Sequence, residues 1–503
     1  MKLDLDQVQG NIFGGFNKDF QDFLFLKVTS PANARAWIRA SADGIISSST
    51  DVLKYNNTFK RLTREGVARP ELLIPARWAN IGFSFKGLKA LGLTETDFGR
   101  LPDAFTQGMA HRKHTIGDEG ASDPAHWQAP FQPAQATDIH AILLVAADNE
   151  AELNTHVTFI EASAGFGTAF TVLGTVNGRT RMEQASTIGH EHFGFKDGVS
   201  QPALRGINAP DDPLANPDQG HPGQDLLWPG EFVLGYPTQI PSQKPGHTSG
   251  PNPDPGPMST AGNHAWTHDG SFLVFRRLAQ DVPAFEHQLH TLATSQGLSM
   301  DLVGAKLVGR YKSGCPLEVL SGLPFSTSAP STDPGMANPT LANSDALNNS
   351  FEFEDDARGS RCPMSAHIRK AYPRDEDSGH GEDSESETQT HRLLRRGIPY
   401  GASFDANIAG SAAVARGLCF LAYQADIASH FEFVQKTWVN DPTFPPENNT
   451  SAQASGQDPI IAQSVDGPFE IKPGTLPITV KHFVTTTGGE YFFAPSLQTL
   501  AHL

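Results

Sequence analysis

Residues 23–40 have the sequence FLFLKVTSPANARAWIRA, which predicts a strand followed by a helix. The short, continuous apolar run at 23–28 is typical of a buried strand, and residues 32–40 predict a helix behind it. The same order of elements is predicted for residues 81–91 and again for residues 141–162. The first half of the chain is therefore expected to be a series of strand–helix units.

The same kind of unit recurs in the second half of the chain. Residues 272–275 predict a strand, and residues 283–292 predict a helix with Pro283 in its first turn, where a missing N–H costs little. Residues 418–423 and 426–434 predict a further strand and helix. Strand–helix units in both halves indicate a duplicated α+β domain.

The chain of 503 residues is longer than one hydrophobic core usually supports, so two domains are expected. Residues 208–265, rich in Pro, Gly, Asp and Asn, have the composition of an insertion, as do residues 322–350. The acidic run at 374–388 is typical of a surface loop. We therefore predict an N-terminal half at 1–207, an insertion at 208–265 and a C-terminal half at 266–503.

The net charge of −17 argues against a nucleic-acid ligand, because that affinity depends on neutralising phosphates with Lys and Arg. It also argues against an anionic membrane surface, and no segment approaches the ~20 apolar residues of a membrane span. Three cysteines, Cys315, Cys362 and Cys419, are too few for a disulfide framework.

Two observations bear on the location of the protein. The N-terminal sequence has no apolar segment typical of a signal peptide. Asn-x-Ser/Thr sequons occur at Asn56, Asn348, Asn448 and Asn449, in stretches rich in polar and turn-forming residues, which favours a secreted glycoprotein. We expect an extracellular protein whose leader is absent from this sequence; a cytoplasmic protein is the alternative.

Three motifs contain the candidate functional residues, and the first is GFKDG at residues 194–198. An Asp between glycines is ordinarily part of a turn. The alternative is that the flexible backbone lets Asp197 approach a bound ligand closely.

The second motif is RCPMSAHIRK at residues 361–370, which continues to Arg374. A single histidine is usually a surface or core residue, but His367 has three cations near it in an acidic chain. Arg369, Lys370 and Arg374 would suit an anionic cofactor, such as one with carboxylates, beside a histidine ligand.

The third motif is HRLLRRGIPYG at residues 391–401. Two adjacent arginines in an apolar context need buried anionic partners. A structural salt bridge is the commoner explanation, and an anionic ligand is the alternative.

Together the three motifs resemble those of the dye-decolorising peroxidase family in its longer, fungal form. The similarity includes GxxDG, AHIRK…PR and RRGIPYG in this order along the chain. It extends to further stretches: LDLDQVQGNI at 3–12, FSFKGL at 83–88, GRYKSG at 309–314 and the strand at 417–424.

The resemblance implies an α+β fold of two ferredoxin-like halves with antiparallel sheets, and haem b bound mainly by the C-terminal half. It implies a peroxidase that reduces hydrogen peroxide and oxidises dyes, phenols and other aromatic substrates. The implied roles are His367 as the proximal iron ligand, Asp197 as the distal acid–base, and Arg395 as the distal arginine, with Arg396 as the alternative. Asp458 matches the family's proximal aspartate, although an Asp-Pro turn would also explain it.

These residue types suit peroxide chemistry. A base must take a proton from one peroxide oxygen and return it to the leaving one, which Asp197 can do. Arg395 can stabilise the charge on the departing oxygen. Leu418 and Phe420 share one face of a strand and are expected to line the haem pocket, together with Arg310 as a cofactor contact; simple core packing is the alternative for the two apolar residues.

Bulky dyes would not enter a pocket narrow enough to exclude water, so their electrons would have to travel through the protein. The resemblance points to Tyr400 as a surface electron-transfer site, and Trp438 is the second candidate. Both aromatic side chains could instead be simple packing residues.

Two other functions are compatible with parts of the sequence. A haem-binding or iron-handling protein without a peroxidase role would not need Asp197 together with Arg395. An acidic, cation-binding protein is suggested by Glu352, Glu354, Asp355 and Asp356 with the 374–388 run, although such runs are usually solvated loops. On a peroxidase the same acids could form a manganese(II) site at the surface.

Overall fold

The computed structural model describes residues 3–64, 76–132, 138–183, 188–210, 213–214, 217–242, 250–318, 329–376, 385–445, 456–463 and 466–503. Its strands are β1 (Phe20–Val28), β2 (Arg77–Phe83), β3 (Ala141–Ala147), β4 (Phe170–Arg179), β5 (Ala203–Leu204), β6 (Leu226–Leu227), β7 (Ser271–Gln280), β8 (Leu394–Arg395), β9 (Ile398–Tyr400), β10 (Gly417–Gln424), β11 (Gly467–Phe469), β12 (Ile478–Val480) and β13 (Val484–Ala494).

The helices of eight residues or more are Pro31–Ser41, Ser49–Arg64, Glu150–Glu161, Val282–Gln296 and Met300–Val308. The shorter α-helices are Gly10–Phe13, Phe85–Ala90, Glu95–Phe98, Asp103–Gln107, Lys113–Ile116, Phe166–Ala169, His264–Thr267, Pro334–Ala337, Pro339–Ala342, Asp345–Asn348, His367–Ala371, Glu385–Thr388 and Leu497–His502. Two π-helical segments are Ala428–Glu432 and Val434–Val439. No helix in the described part of the chain combines the length and apolar composition needed to cross a bilayer.

The main sheet is closed into a barrel. Its hydrogen-bonding order is β7-β13-β2-β3-β1-β4-β9-β10, and β10 also pairs with β7, which closes the ring of strands. The short strand β8 pairs with β10 next to β9. Every pairing in the barrel is antiparallel. The antiparallel α+β fold predicted from the sequence is confirmed.

Strands from both halves of the chain share this barrel. The two junctions are short: Phe493 of β13 pairs with Phe83 of β2, and Gly178 of β4 pairs with Tyr400 of β9. The barrel interior is packed with aromatic rings, such as Phe25 and Phe275, whose centroids are 5.2 Å apart. The halves are thus joined through the sheet as well as through the connecting chain.

The first predicted strand–helix unit, β1 with the helix Pro31–Ser41, forms because its apolar run and its helix cap favour the same elements. The apolar run of β1 is buried along almost its whole length. The following helix begins after Ser30, whose side chain accepts a hydrogen bond from the backbone N–H of Asn33, with Pro31 in the first turn. Asn149 caps the helix Glu150–Glu161 in the same way.

Three elements depart from the sequence expectations. The predicted helix at 426–434 is π-helical and continues to Val439. The helix Ser49–Arg64 and the strand β13 were not predicted, because both are rich in polar residues or glycine. In β13, Gly488 follows the bulge at Thr487 and lies so close to Phe131 that a Cβ would be 2.1 Å from its ring, so this position requires glycine.

β7 and β10 present different faces to the barrel and to the functional site. Phe275 of β7 and Cys419 of β10 belong to the barrel core. Leu278 of β7 and Leu418 of β10, which are paired across the two strands, line a cavity on the opposite face. The strands of the C-terminal half therefore form one wall of that cavity.

Candidate functional site

A deep cavity brings together side chains from all three sequence motifs. One wall comes from residues 191–200, and all other lining residues in the described part of the chain lie after residue 275. The residues that line it and that concern the site are Glu191, Asp197, Ser200, Arg276, Leu278, Gln280, Arg310, His367, Tyr372, Arg374, His391, Arg392, Arg395, Leu418, Phe420, Ile460 and Ile461.

His367 begins a short helix at one side of the cavity and is fixed by Asp458. Its Nδ1–H donates to Oδ2 of Asp458 at 2.8 Å, and Oδ1 of Asp458 accepts from the backbone N–H groups of Ile460 and Ile461 at 2.7 and 3.0 Å. This leaves Nε2 as the ring nitrogen available to a ligand. Burial acts to lower the pKa of His367, but the Asp458 charge and hydrogen bond outweigh it, so the pKa is raised.

The cations that follow His367 do not all face the cavity, contrary to expectation. Arg369 is fully buried and pairs with Glu376 and Asp356. Lys370 is also fully buried, and its Nζ donates to backbone carbonyl oxygens near the Asp458 loop. They turn away because a five-residue helix distributes successive side chains around its axis. Among these three cations only Arg374 lines the cavity.

Asp197 and Arg395 lie together in another part of the cavity wall. Arg395 Nη1 is 3.4 Å from Oδ1 of Asp197, and Nη2 donates to the carbonyl of Ser200 at 2.8 Å. The side-chain amide of Gln201 donates to the backbone carbonyl of Arg395 at 3.1 Å and accepts from the backbone N–H of Arg395 at 3.3 Å. The loop uses left-handed backbone at Gly198, with φ at 71°, where most other residues would be strained.

Glu191 supports the Asp197 loop and was not identified from the sequence. Its carboxylate accepts from the backbone N–H groups of Phe193 and Phe195, both at 2.8 Å, and from the side chain of Gln280. Burial raises its pKa. A glutamate three residues before GxxDG gave no distinct signal, because its partners are backbone groups and a strand residue far along the chain.

The structure distinguishes the two adjacent arginines. Arg396 does not line the cavity; its guanidinium donates to the carbonyl oxygens of Asn11, Ile12 and Phe13. Burial lowers its pKa to about 10. Arg395 is therefore the arginine in contact with Asp197.

Arg310 is a buried cation at the cavity. It donates to the carbonyls of Gly314 and Asn348 at 3.0 and 2.6 Å and to Oδ1 of Asn349 at 3.3 Å. In the part of the chain that the structure describes, no carboxylate forms an ion pair with it. Burial, and next the charge of Arg374, lowers its pKa to about 9. An anion beside Arg310 would therefore be favoured.

Leu418 and Phe420 alternate on β10 and both line the cavity, as the spacing predicted. Each is only partly buried, whereas Cys419 between them is fully buried in the barrel core. These side chains give one wall an apolar surface.

The two proposed electron-transfer residues are not at the surface, which corrects that part of the expectation. Tyr400 is 5% exposed, and the Arg277 guanidinium lies 4.8 Å from its ring centroid. Trp438 lies in the π-helical segment Val434–Val439, and its side chain is 1% exposed. Its ring is 5.4 Å from that of His391, which lines the cavity.

The acidic residues proposed for manganese are partly committed to other contacts. Asp356 is buried, and its carboxylate accepts from the backbone N–H groups of Ser360 and Cys362 at 2.8 and 2.9 Å. Within the described ranges, no group of three or more His, Cys, Asp or Glu side chains is arranged to hold a metal ion. Much of the acidic run, residues 377–384, lies outside those ranges.

Two of the sequons are in unexpected environments. Asn348 is buried, and its Nδ2 donates to the carbonyl of Ala342 at 2.7 Å. Asn56 lies within the helix Ser49–Arg64 rather than in a turn, and its Nδ2 donates to the carbonyl of Gly14 at 2.9 Å. Asn448 and Asn449 lie outside the described residues.

Comparisons with known proteins agree over nearly the whole chain. The family "DyP dimeric alpha+beta barrel domain" matches residues 7–182, and "Dyp-type peroxidase, C-terminal" matches residues 338–448. The dye-decolorizing peroxidase msp1 of Mycetinis scorodonius is 31% identical over 99% of this chain and 87% of its own length.

Two solved structures have the same fold. An ancestral D-type dye decolorizing peroxidase has a TM-score of 0.77 at 31% identity, with 99% of each chain covered. A dye-decolorizing peroxidase in complex with 2,6-dimethoxyphenol has a TM-score of 0.75 at 28% identity, again with 99% of each chain covered.

Proposed function

The chain belongs to the DyP-type peroxidase family, and from that premise we propose that it is a haem-dependent peroxidase that reduces hydrogen peroxide and oxidises dyes and phenols. The observation that carries the proposal is a cavity with two charged pairs of different kinds. His367 with Asp458 suits an iron ligand, and Asp197 with Arg395 suits acid–base work on peroxide. The complex of a similar protein with a dimethoxyphenol supports phenols as reducing substrates.

The cavity residues fit a haem group in three respects. His367 would hold the iron through Nε2, and its Nδ1–H bond to a carboxylate raises its basicity. Arg310, a buried cation without a described carboxylate partner, suits a haem propionate. Leu418 and Phe420 offer apolar contacts to a porphyrin face. When bound, haem supplies the iron at which peroxide is cleaved and the oxidising equivalents are held.

We favour haem b because the C-x-x-C-H motif by which c-type haem is attached does not occur in the sequence. The three cysteines, Cys315, Cys362 and Cys419, are isolated in the sequence and buried in the structure.

Asp197 and Arg395 divide the work on peroxide. The Asp197 carboxylate would take the proton from one peroxide oxygen and return it to the other, which departs as water. The Arg395 guanidinium stabilises the negative charge that develops on the departing oxygen. Because Ser200 and Gln201 already hold Arg395, little reorganisation is needed during the reaction.

The test is the reaction of the haem-loaded Asp197→Asn variant with peroxide, followed by stopped-flow absorption. The first peroxide-dependent spectral change should slow by about 10²–10⁴-fold, as is typical when a general base is lost. Asp43→Asn, at an exposed position, is the matched control and should react like the wild type. An unaffected Asp197→Asn variant would remove Asp197 from the mechanism, and a chain with no Soret band would remove the peroxidase function.

A haem-binding or iron-handling role without peroxidase activity is the alternative function. Such a protein would bind haem through His367 but would be insensitive to Asp197→Asn, so the same experiment separates the two. The contact between Asp197 and Arg395 favours the peroxidase.

Three finer features stay predictions. Electron transfer to bulky dyes through Tyr400 or Trp438 would be seen as a selective loss of dye oxidation when either side chain is replaced by Phe. Manganese(II) oxidation would be seen as Mn(II)-dependent turnover of the haem-loaded enzyme. Secretion and glycosylation would be seen as N-linked glycan on protein recovered from the culture medium, with Asn448 and Asn449 as the sequons to examine first.

A further inference from the structure

Tyr372 has a position that no other tyrosine or tryptophan shares. The sequence contains seven tyrosines and six tryptophans, and all of them are within the described residues. Among the described residues that line the cavity, Tyr372 is the only one of either type. It follows directly after the helix His367–Ala371, and its backbone N–H donates to the carbonyl of Ile368 at 3.0 Å. An oxidisable side chain is thus attached to the element that carries the proposed iron ligand.

The phenol of Tyr372 has a defined proton acceptor. Its O–H donates to Oε1 of Glu385 at 2.7 Å, and Oδ2 of Asp225 lies at 3.4 Å. Nε2 of Gln389 donates to the phenolic oxygen at 2.6 Å, which occupies a lone pair of that oxygen. The phenolic proton therefore points to a carboxylate rather than to solvent.

Two cations flank the ring of Tyr372. The guanidinium carbon of Arg392 is 3.8 Å from the ring centroid, and that of Arg374 is 5.1 Å from it. These charges disfavour a positively charged ring. Loss of an electron from Tyr372 would therefore have to be accompanied by loss of the phenolic proton. Burial, and next the charge of Glu385, holds the pKa of Tyr372 well above its usual value, so that proton is present at any working pH.

We propose that Tyr372 is a redox-active residue of the peroxidase cycle, an inference that rests on the proposed function. One electron passes from the phenol to the haem that peroxide has oxidised. The phenolic O–H bond breaks and an O–H bond forms on Glu385, which leaves a neutral phenoxyl radical beside a protonated carboxyl. A reducing substrate returns the electron, and Glu385 returns the proton. One oxidising equivalent of peroxide is thereby held on the cavity wall.

The test is electron paramagnetic resonance of the haem-loaded enzyme, frozen soon after one equivalent of hydrogen peroxide is added. The wild type should give a tyrosyl radical signal, and Tyr372→Phe should lose most of it while keeping its haem content. Tyr311→Phe is the matched control, because it removes a fully buried phenol that does not line the cavity. Glu385→Gln should lower the radical yield several-fold although the phenol is intact, since an amide is a much weaker proton acceptor.

The outcomes separate this inference from the function on which it rests. A radical signal unchanged in Tyr372→Phe, or an enzyme that consumes peroxide without any tyrosyl radical, would overturn the role of Tyr372 and leave the peroxidase function intact. A signal that is lost in Tyr372→Phe and unchanged in Glu385→Gln would overturn the proton transfer to Glu385. A chain that takes up no haem would overturn both the inference and the function.

Discussion

His367 and Asp458 lie 91 residues apart in the chain, yet a hydrogen bond of 2.8 Å joins their side chains. The carboxylate is itself held by two backbone N–H groups of its own loop, so it cannot easily rotate away. A histidine oriented in this way presents one fixed nitrogen to the cavity. The pair is therefore built to hold a ligand with little loss of side-chain entropy on binding.

The first prediction at the residue scale concerns His367. His367→Ala should reduce the haem content to a small fraction of one per chain, because it removes the proposed iron ligand, whose ring Asp458 fixes at the cavity. Haem per chain is measured by the pyridine haemochrome method. His287→Ala, at an exposed position, should load normally. Full haem content and turnover in His367→Ala would show that another residue is the ligand.

The second residue-scale prediction concerns Tyr400. Tyr400→Phe keeps the ring and removes the oxidisable phenol, whose pKa burial raises to about 12. If Tyr400 relays electrons, oxidation of a bulky dye should fall several-fold, while oxidation of a small phenol should change little.

The comparison uses kcat/KM for the two substrates in parallel. Tyr423→Phe is the control, because Tyr423 is also a buried tyrosine outside the cavity lining. Unchanged dye oxidation in both Tyr400→Phe and Trp438→Phe would rule out both relays. Since both side chains are buried, an active relay would also need an exposed residue between them and the dye.

At the scale of elements, Lys370 connects the His367 helix to two other segments. Its Nζ donates to the carbonyls of Asp441 and Gly456 at 2.5 and 3.0 Å, and also to that of Phe444. Gly456 lies two residues before Asp458 in the chain. One buried ammonium group therefore fixes the loop that carries the partner of His367.

Lys370→Met should accordingly lower both the stability and the retention of haem. Three buried carbonyl groups would lose a charged donor, at a cost on the order of 1–3 kcal/mol in the free energy of unfolding. Urea unfolding measures the first effect, and the rate of haem transfer to an excess of apomyoglobin measures the second. Lys436→Met, at an exposed position of the adjacent π-helical segment, is the control. Haem transfer as slow as in the wild type would mean that Asp458 holds its place without Lys370.

The elements differ in how far the sequence could predict them. β1 and β3 are continuous apolar runs bounded by helix caps, so local signals suffice. β13 has the sequence VTTTGGEYFFA, in which Thr and paired Gly obscure the strand pattern, and its place depends on pairing with β7, about 200 residues earlier. Closure of the barrel could not be predicted, because the halves meet through only one residue pair at each junction.

The residues of the candidate site also differ in how far the sequence could predict them. Asp197, His367 and Arg395 were predicted because the compact motifs that contain them together resemble those of the dye-decolorising peroxidase family. The functions of Glu191 and Lys370 depend on backbone groups that the fold brings to them, and no residue type in the sequence marks such contacts. The direction of Arg369 could not be predicted either, because a helix of five residues has too short a pattern to define its faces.

At the scale of the whole molecule, the acidic composition is reflected in several buried carboxyl groups. Burial raises the pKa of Glu191, Glu376 and Glu490. For Glu352, burial, and next the charge of Glu385, raises the pKa from 4.5 to about 9. A chain with a net charge of −17 thus has carboxyl groups in its interior whose pKa is raised by burial.

The consequence is a stability that depends on pH with a definite sign. Between pH 4.5 and 9 the folded chain keeps the Glu352 proton, whereas the unfolded chain releases it. The free energy of the unfolded state therefore falls relative to that of the folded state as the pH rises, and the contribution of Glu352 to stability decreases over this range. Glu352→Gln resembles the protonated acid at every pH and should remove this penalty. At pH 8 the variant should be more stable than the wild type by about 1–3 kcal/mol, and near pH 4.5 the two should be equal.

Urea unfolding of the haem-loaded proteins at both pH values measures the difference, with Glu161→Gln at an exposed position as the control. A difference that is the same at both pH values would show that Gln acts through packing and that Glu352 does not hold a proton in the folded protein.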